Sequence, residues 1–155
     1  IGCTFNDRVE LIIVGLHSRH QNGIDFVKSK GELIATCIVS CEGYNEKMNG
    51  SEMLSYVGEG GLYGVKEGEC PKDQKMEKGN LALKNSWKFG NDVRVVKGVK
   101  NGDSVSISSI RYVYDGLYMV VSCNALWHLV SLNLMFHFTL KRNPNPPFVP
   151  CHRFA

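Results

Sequence analysis

Apolar residues recur at every second position in several stretches of the chain, and that period predicts a protein built mainly of strands. The clearest case is residues 134–141, where Leu134, Phe136, Phe138 and Leu140 alternate with Met135, His137, Thr139 and Lys141. Residues 93–99 alternate likewise, residues 32–40 and 53–57 read as strands, and residues 24–27 read as a short edge piece. Residues 8–16 are dense in β-branched side chains and predict a further, largely buried strand. In residues 111–121, Asp115-Gly116 flanked by strand formers predicts a tight turn or a G1-type bulge. Residues 79–87 predict a short helix with Asn80 as its capping residue, and Trp87 and Trp127 are expected in the core. Residues 62–79 and 100–109 read as loops, and the prolines after Asn143 end regular structure. About seven strands with one or two short helices give an α+β fold dominated by β, a curved sheet or barrel.

At 155 residues and 43% hydrophobic, the chain is long enough for one domain with a sizeable core. No run of 18 apolar residues occurs, so no helical membrane span and no membrane partner are expected. The N-terminus has neither a signal peptide's apolar segment nor an initiator methionine, and reads as an excised piece. The six cysteines are scattered without a CxxC pair. That argues against a disulfide framework and fits a reducing compartment. Cys37 and Cys41 with His17 or His20 lack metal-ligand spacing, so no metal site and no cofactor are expected. No flanking motif supports a Cys–His nucleophile, and no catalytic residue is assigned. The net charge is only +3, but residues 1–60 carry 5 Lys/Arg against 8 Asp/Glu and residues 61–155 carry 13 against 7. One basic face is therefore permitted, though not required.

The stretch with most chemical character runs from residue 41 to residue 61. Tyr44 follows Gly43, Tyr56 lies twelve residues on and precedes Val57-Gly58, and a polar run separates them. Tyrosine offers a π-face and glycine lets backbone approach a flat ligand. Two readings stand: the tyrosines close a hairpin over a small β core, or they sandwich a planar base. A second polar segment, residues 17–23, carries His17, Arg19, His20, Gln21 and Asn22 and suits either contact with a polar partner or plain exposure.

Eight segments fall in register with one family. They are Val14-Gly15-Leu16-His17, Gln21-x-Gly23-Ile24-Asp25, Gly43-Tyr44, Tyr56-x-Gly58-x-Gly60-Gly61, Asp73-Gln74-Lys75, residues 79–86, Val93-Arg94-Val95 and Tyr114-Asp115-Gly116-Leu117-Tyr118. Together they resemble the SET- and RING-associated (SRA) domain, also called YDG, over roughly residues 2–143. The resemblance is greatest to the SRA modules of plant histone H3 lysine-9 methyltransferases of the suppressor-of-variegation type. It implies an SRA-YDG domain over 1–143 with an irregular tail at 144–155, folded as a crescent-shaped, PUA-like β-barrel. The implied function is a DNA-binding chromatin module in the nucleus that recognises 5-methylcytosine by swinging the base out of the duplex. Tyr44 and Tyr56 would be the stacking walls, with Gly43, Glu46, Lys47 and Val57 beside them. Arg19, His20, Gln21 and Asn22 would form the thumb that fills the vacated space. DNA, methylated, is the expected partner, with chromatin proteins as further candidates.

Departures from the family pattern bear on that function. The loop after the first tyrosine usually carries an acidic run whose third residue accepts hydrogen bonds from the cytosine edge; here that residue is Lys47. An ammonium cannot accept, so base readout is expected to be weakened unless Glu46 substitutes. Glu42 and Val57 replace a usual glycine and threonine, and residues 124–132 depart from the expected segment. Architectural roles are expected for Asp73-Gln74-Lys75 and for Tyr114 to Tyr118. The alternative is a degenerate SRA fold kept for structure or protein interaction, without methyl-DNA binding. No SET domain is seen in these 155 residues, so lysine methylation is not expected of them, although derivation from a histone-lysine methyltransferase is.

Overall fold

A computed structural model of the chain describes residues 1–41, 47–48, 52–61, 67–100 and 110–145, with the backbone alone described at 47–48. The elements in chain order are β1 (Thr4–Phe5), α1 (Arg8–Ile13), β2 (Ile24–Ser29), β3 (Glu32–Cys41), β4 (Lys47–Met48) and β5 (Met53–Val57). Then follow α2 (Lys78–Phe89), β6 (Asp92–Lys100), β7 (Ile110–Trp127) and β8 (Leu134–Arg142). The strands make one sheet in the order β2-β3-β6-β7-β8-β5-β4, with β1 added to β7. All pairs are antiparallel except β3 with β6. The fold is α+β and β-dominated, as expected, but the barrel is not closed: among the described residues β2 and β4 remain the two sheet edges.

Alternation along the central strands sends side chains to two cores. Ala35 and Ile38 of β3, Val93 and Val95 of β6, and Phe138 and Leu140 of β8 join Ala82 and Leu83 of α2 in the larger cluster. Cys37, Val39, Val96 and Tyr112 go to the other cluster, which Leu11 of α1 completes. Alternation alone sends the adjacent Val95 and Val96 to opposite faces, but the partner strand β7 carries a bulge opposite them. Val95 pairs with Gly116 and Val96 with Tyr114, which leaves Asp115 as the extra residue. Gly116 has φ +118°, a backbone region that disfavours any side chain. Asp115-Gly116 is therefore a bulge within the 18-residue β7 and not a reversal.

The bulge turns the Asp115 carboxylate into a cluster of donors. Lys97 Nζ stands 2.5 Å from one oxygen and Arg142 Nη2 2.9 Å from the other. The Tyr118 hydroxyl donates to Asp115 at 2.5 Å, and Arg142 Nη1 donates to the Asp115 carbonyl at 2.5 Å. Burial pushes the Asp115 carboxyl up, but hydrogen bonds from Lys97, Tyr118 and Arg142 overcome it and leave the pKa below the ordinary 3.8.

Several sequence expectations are corrected. Residues 8–13 are helical, because Asp7 accepts from the Glu10 amide at 3.0 Å and Glu10 reaches back to the Asn6 amide at 2.7 Å. Only Leu11 of that helix is buried, while Ile13 is 72% exposed. The α2 N-cap is Glu77, without a side-chain cap bond, and Asn80 lies inside the helix with another task. Trp87 and Trp127 are 44% and 64% exposed, so neither fills the core. Cys37, Cys41, Cys70 and Cys123 are free thiols, whereas Cys3 is disulfide-bonded. Of the loop expected at 100–109, Lys100 ends β6 and residues 101–109 lie outside the described residues, as do residues 146–155 of the tail.

Candidate functional site

Residues 17–23 leave α1 as a loop held from beneath. His17 is 1% exposed, not at the surface as its polar neighbours suggested. Its Nδ1 lies 3.2 Å from the Arg19 amide and its Nε2 3.4 Å from the Gly23 carbonyl. Asp25, at the start of β2, accepts from the Ser18 amide at 2.9 Å and the Ser18 hydroxyl at 2.5 Å. Burial works against ionisation of Asp25, but the Ser18 bonds outweigh it and lower the pKa. Arg8 of α1 donates to the Gln21 carbonyl at 3.4 Å and the Asn22 carbonyl at 2.5 Å. Arg19 folds back, its guanidinium 4.1 Å over the Phe26 ring and its Nε 3.6 Å from Asp25. What remains outward is the tip, His20, Gln21 and Asn22, all exposed.

The end of β5 is fixed against the same loop. Tyr56 is 4% exposed and belongs to the larger core cluster, and Val57 beside it is half-buried. A Cβ on Gly23 would stand 2.5 Å from the Tyr56 hydroxyl oxygen, so only glycine lets the loop base sit this close to the ring. Just beyond, Glu59 accepts from the Ile24 amide at 2.8 Å, joining the segment after Tyr56 to the segment after Gly23.

That segment is in turn held by side chains far along the chain. Asn80 accepts from the Glu59 amide at 2.8 Å and donates to the carbonyls of Glu59 at 3.0 Å and Lys75 at 2.9 Å. Gln74 donates to the Gly58 carbonyl at 2.7 Å and the Gly60 carbonyl at 3.1 Å, and accepts from the Phe136 amide at 2.8 Å. Asp73 accepts from the Leu134 amide at 2.7 Å. Asp73 and Gln74 are thus scaffolding that fixes where β5 ends. Gly43, Tyr44 and Glu46 lie outside the described residues, and of Lys47 only the backbone is described, paired in register with Leu54.

The arrangement is a rigid base carrying a polar tip, next to a tyrosine, with no catalytic grouping among the described residues. Cys37 is fully buried, and burial pushes its thiol up to about 12, which keeps it protonated and unreactive.

A family model of the SAD/SRA domain matches residues 1–146. The chain belongs to the SAD/SRA family. Over an alignment of 160 positions that covers all of this chain, it is 44% identical to the H3 lysine-9 specific histone-lysine N-methyltransferase SUVH5 of Arabidopsis thaliana. Over an alignment of 154 positions that covers 95% of this chain, it is 38% identical to SUVH6 of the same organism. The chain spans 20% of the first and 19% of the second, so what they share is one domain of a longer protein. Among solved structures, the SUVH5 SRA domain in complex with fully methylated CG DNA matches with a TM-score of 0.78 at 44% identity. That alignment covers 97% of this chain and 92% of the other.

Family membership accounts for the scaffolding motifs, and the structure adds residues that the sequence did not single out. Arg8 and Glu59 carry contacts between the 17–23 loop and its surroundings without belonging to a local pattern with a chemical signature, and Asp25, already named in the Gln21-x-Gly23-Ile24-Asp25 segment, holds Ser18. The Asp7-x-x-Glu10 spacing was the available signal for α1, and hence for where Arg8 points.

Proposed function

We propose that these residues bind methylated DNA in nuclear chromatin by extruding a 5-methylcytosine, with His20, Gln21 and Asn22 entering the duplex and Tyr44 and Tyr56 stacking the extruded base. The observation that carries the reading is the match, along the whole chain, to a domain solved on methylated CG DNA. The exposed tip on a pinned base supports it, because an inserting loop must not collapse when it displaces a base. Extrusion costs a few kcal/mol, while stacking returns about 1–3 kcal/mol per base and phosphate contacts supply the rest. The Tyr56 ring is covered in the unbound chain, so in this reading the base takes the place of groups now packed on one face of it. The close approach of Gly23 to its hydroxyl sets the base of the inserting loop directly against the stacking ring.

Lys47 sets the quality of the readout. Its ammonium meets N3 or O2 of a cytosine but leaves N4 unpaired, a cost of about 1–3 kcal/mol or roughly one to two decades of affinity. Discrimination is therefore weaker than with a carboxylate in that place, unless Glu46 takes the role. The methyltransferase activity in the relatives' names is not proposed for these residues.

The test is Gln21→Ala. Gln21 is exposed, so the variant melts like the parent, while affinity for a methylated duplex falls about tenfold. Unchanged affinity for the methylated duplex contradicts insertion by this loop.

A further inference from the structure

The two ends of the 19–22 tip rest on one imidazole. The Arg19 amide can only donate, so Nδ1 of His17 carries the lone pair and Nε2 carries the proton that goes to the Gly23 carbonyl. The same carbonyl accepts from the Val39 amide at 2.8 Å, which ties the loop end to β3. Fully buried, His17 touches neither the tip's exposed face nor the solvent. Its ring spans the loop from start to end.

We infer that His17, in its neutral Nε2–H form, is the positioning residue that holds the 19–22 loop ready for insertion, and that its protonation releases the loop and couples base extrusion to pH. The inference rests on the methyl-DNA reading above. A second proton on Nδ1 faces the Arg19 N–H, so a donor meets a donor and the loop start loses its seat. The charged groups around the ring are Arg8 from α1, Asp25 from β2 and Arg19 from the loop itself. Cys37 of β3 feels Arg94, Asp25 and Arg8, and burial keeps its thiol neutral. Burial lowers the His17 pKa from the ordinary 6.5, Arg8 lowers it further, and Asp25 opposes both.

The sign follows from those directions. With its pKa below 6.5 in the folded chain, His17 gives its full support above that value and loses it as pH falls through the lowered one. Asp25, also lowered, stays ionised across that window and keeps Ser18 in place. Acidification therefore frees the Arg19 side of the loop first.

The experiment follows extrusion with 2-aminopurine placed beside 5-methylcytosine, against an unmethylated duplex at fixed salt, from about pH 7.5 down to the lowest pH at which the chain stays folded. The parent's extrusion signal and methyl preference hold above pH 6.5 and fall, by up to about tenfold, as pH drops through the lowered His17 value, a loss comparable with one hydrogen-bonded anchor. His17→Gln, which cannot take up a proton, gives a flat profile. A flat parent profile, or a His17→Gln profile that titrates like the parent's, overturns the inference. Hydrogen exchange of the Arg19 amide in the free protein, corrected for intrinsic rates, decides the matter independently of DNA. Protection drops about tenfold on acidification in the parent and not in His17→Gln. If the parent shows no methyl preference at any pH, the DNA reading fails while this exchange result still judges His17; protection that does not change with pH overturns it.

Discussion

Replacing Asp115 with asparagine tests whether the bulge in β7 exists to aim a carboxylate. The change keeps the side chain's size and one acceptor oxygen, but removes the charge facing Lys97 at 2.5 Å and Arg142 at 2.9 Å. Exposed ion pairs contribute up to about 1 kcal/mol, and breaking a buried one costs about 3–5 kcal/mol. The side chains here are 19%, 26% and 17% exposed for Lys97, Arg142 and Asp115, between those limits. A loss of about 2–3 kcal/mol follows, which for a chain of this length lowers Tm by about 5–10 °C. The pH dependence sharpens the test. Because the folded pKa of Asp115 lies below 3.8, its stabilisation is present above that value and is lost as pH falls through the lowered one. Thermal melts of parent and variant should therefore differ at neutral pH and converge as pH falls below 3.8 and through the lowered value. A variant that melts within about 1 °C of the parent at neutral pH refutes the reasoning.

Gln74→Ala should cost about 2–3 kcal/mol in denaturant unfolding, since it strands the buried Phe136 amide and two carbonyls near residue 59; a midpoint unchanged from the parent removes Gln74 from the scaffold. Gly23→Ala should destabilise by about 1–3 kcal/mol because its Cβ meets the Tyr56 hydroxyl, and adding Tyr56→Phe should restore part of that loss. An additive double-mutant cycle would show that the two residues are not in contact. Lys47→Asp should raise the preference for 5-methylcytosine in a competition titration by about tenfold, with Glu46→Ala having little effect; if Glu46→Ala removes an existing preference, Glu46 is the reader.

The strands were legible where one face is buried and the other is not. β5 falls on residues 53–57 as expected, and β8 keeps the alternation of Phe138 and Leu140 with Thr139 and Lys141. β-branched content misled at residues 8–13, where Asp7 and Glu10 set a local backbone path that outweighs strand preference. Asn80 reads as a helix cap from its neighbours. It is instead drawn into the helix because Glu59, twenty-one residues away, needs its amide. The exposed tryptophans have no signal in their local sequence, since apolar size alone does not say which face of α2 or β7 meets the sheet.

The site shows the same division. The tip residues His20, Gln21 and Asn22 and the scaffold at Asp73 and Gln74 were reachable because family motifs hold them in register. The links between them were not. Glu59 to Ile24, Arg8 to Asn22 and Gly23 to Tyr56 are contacts between separate segments, and no local pattern says which residue meets which. They exist only once the sheet order is known.

The most direct test of the account is titration of the chain, at one fixed salt concentration, with duplexes identical but for a single 5-methylcytosine. A reader that extrudes the modified base binds the methylated duplex more tightly and raises the fluorescence of a neighbouring 2-aminopurine, with both effects lost in Gln21→Ala. Equal affinity for the two duplexes, with no fluorescence change on binding, contradicts it.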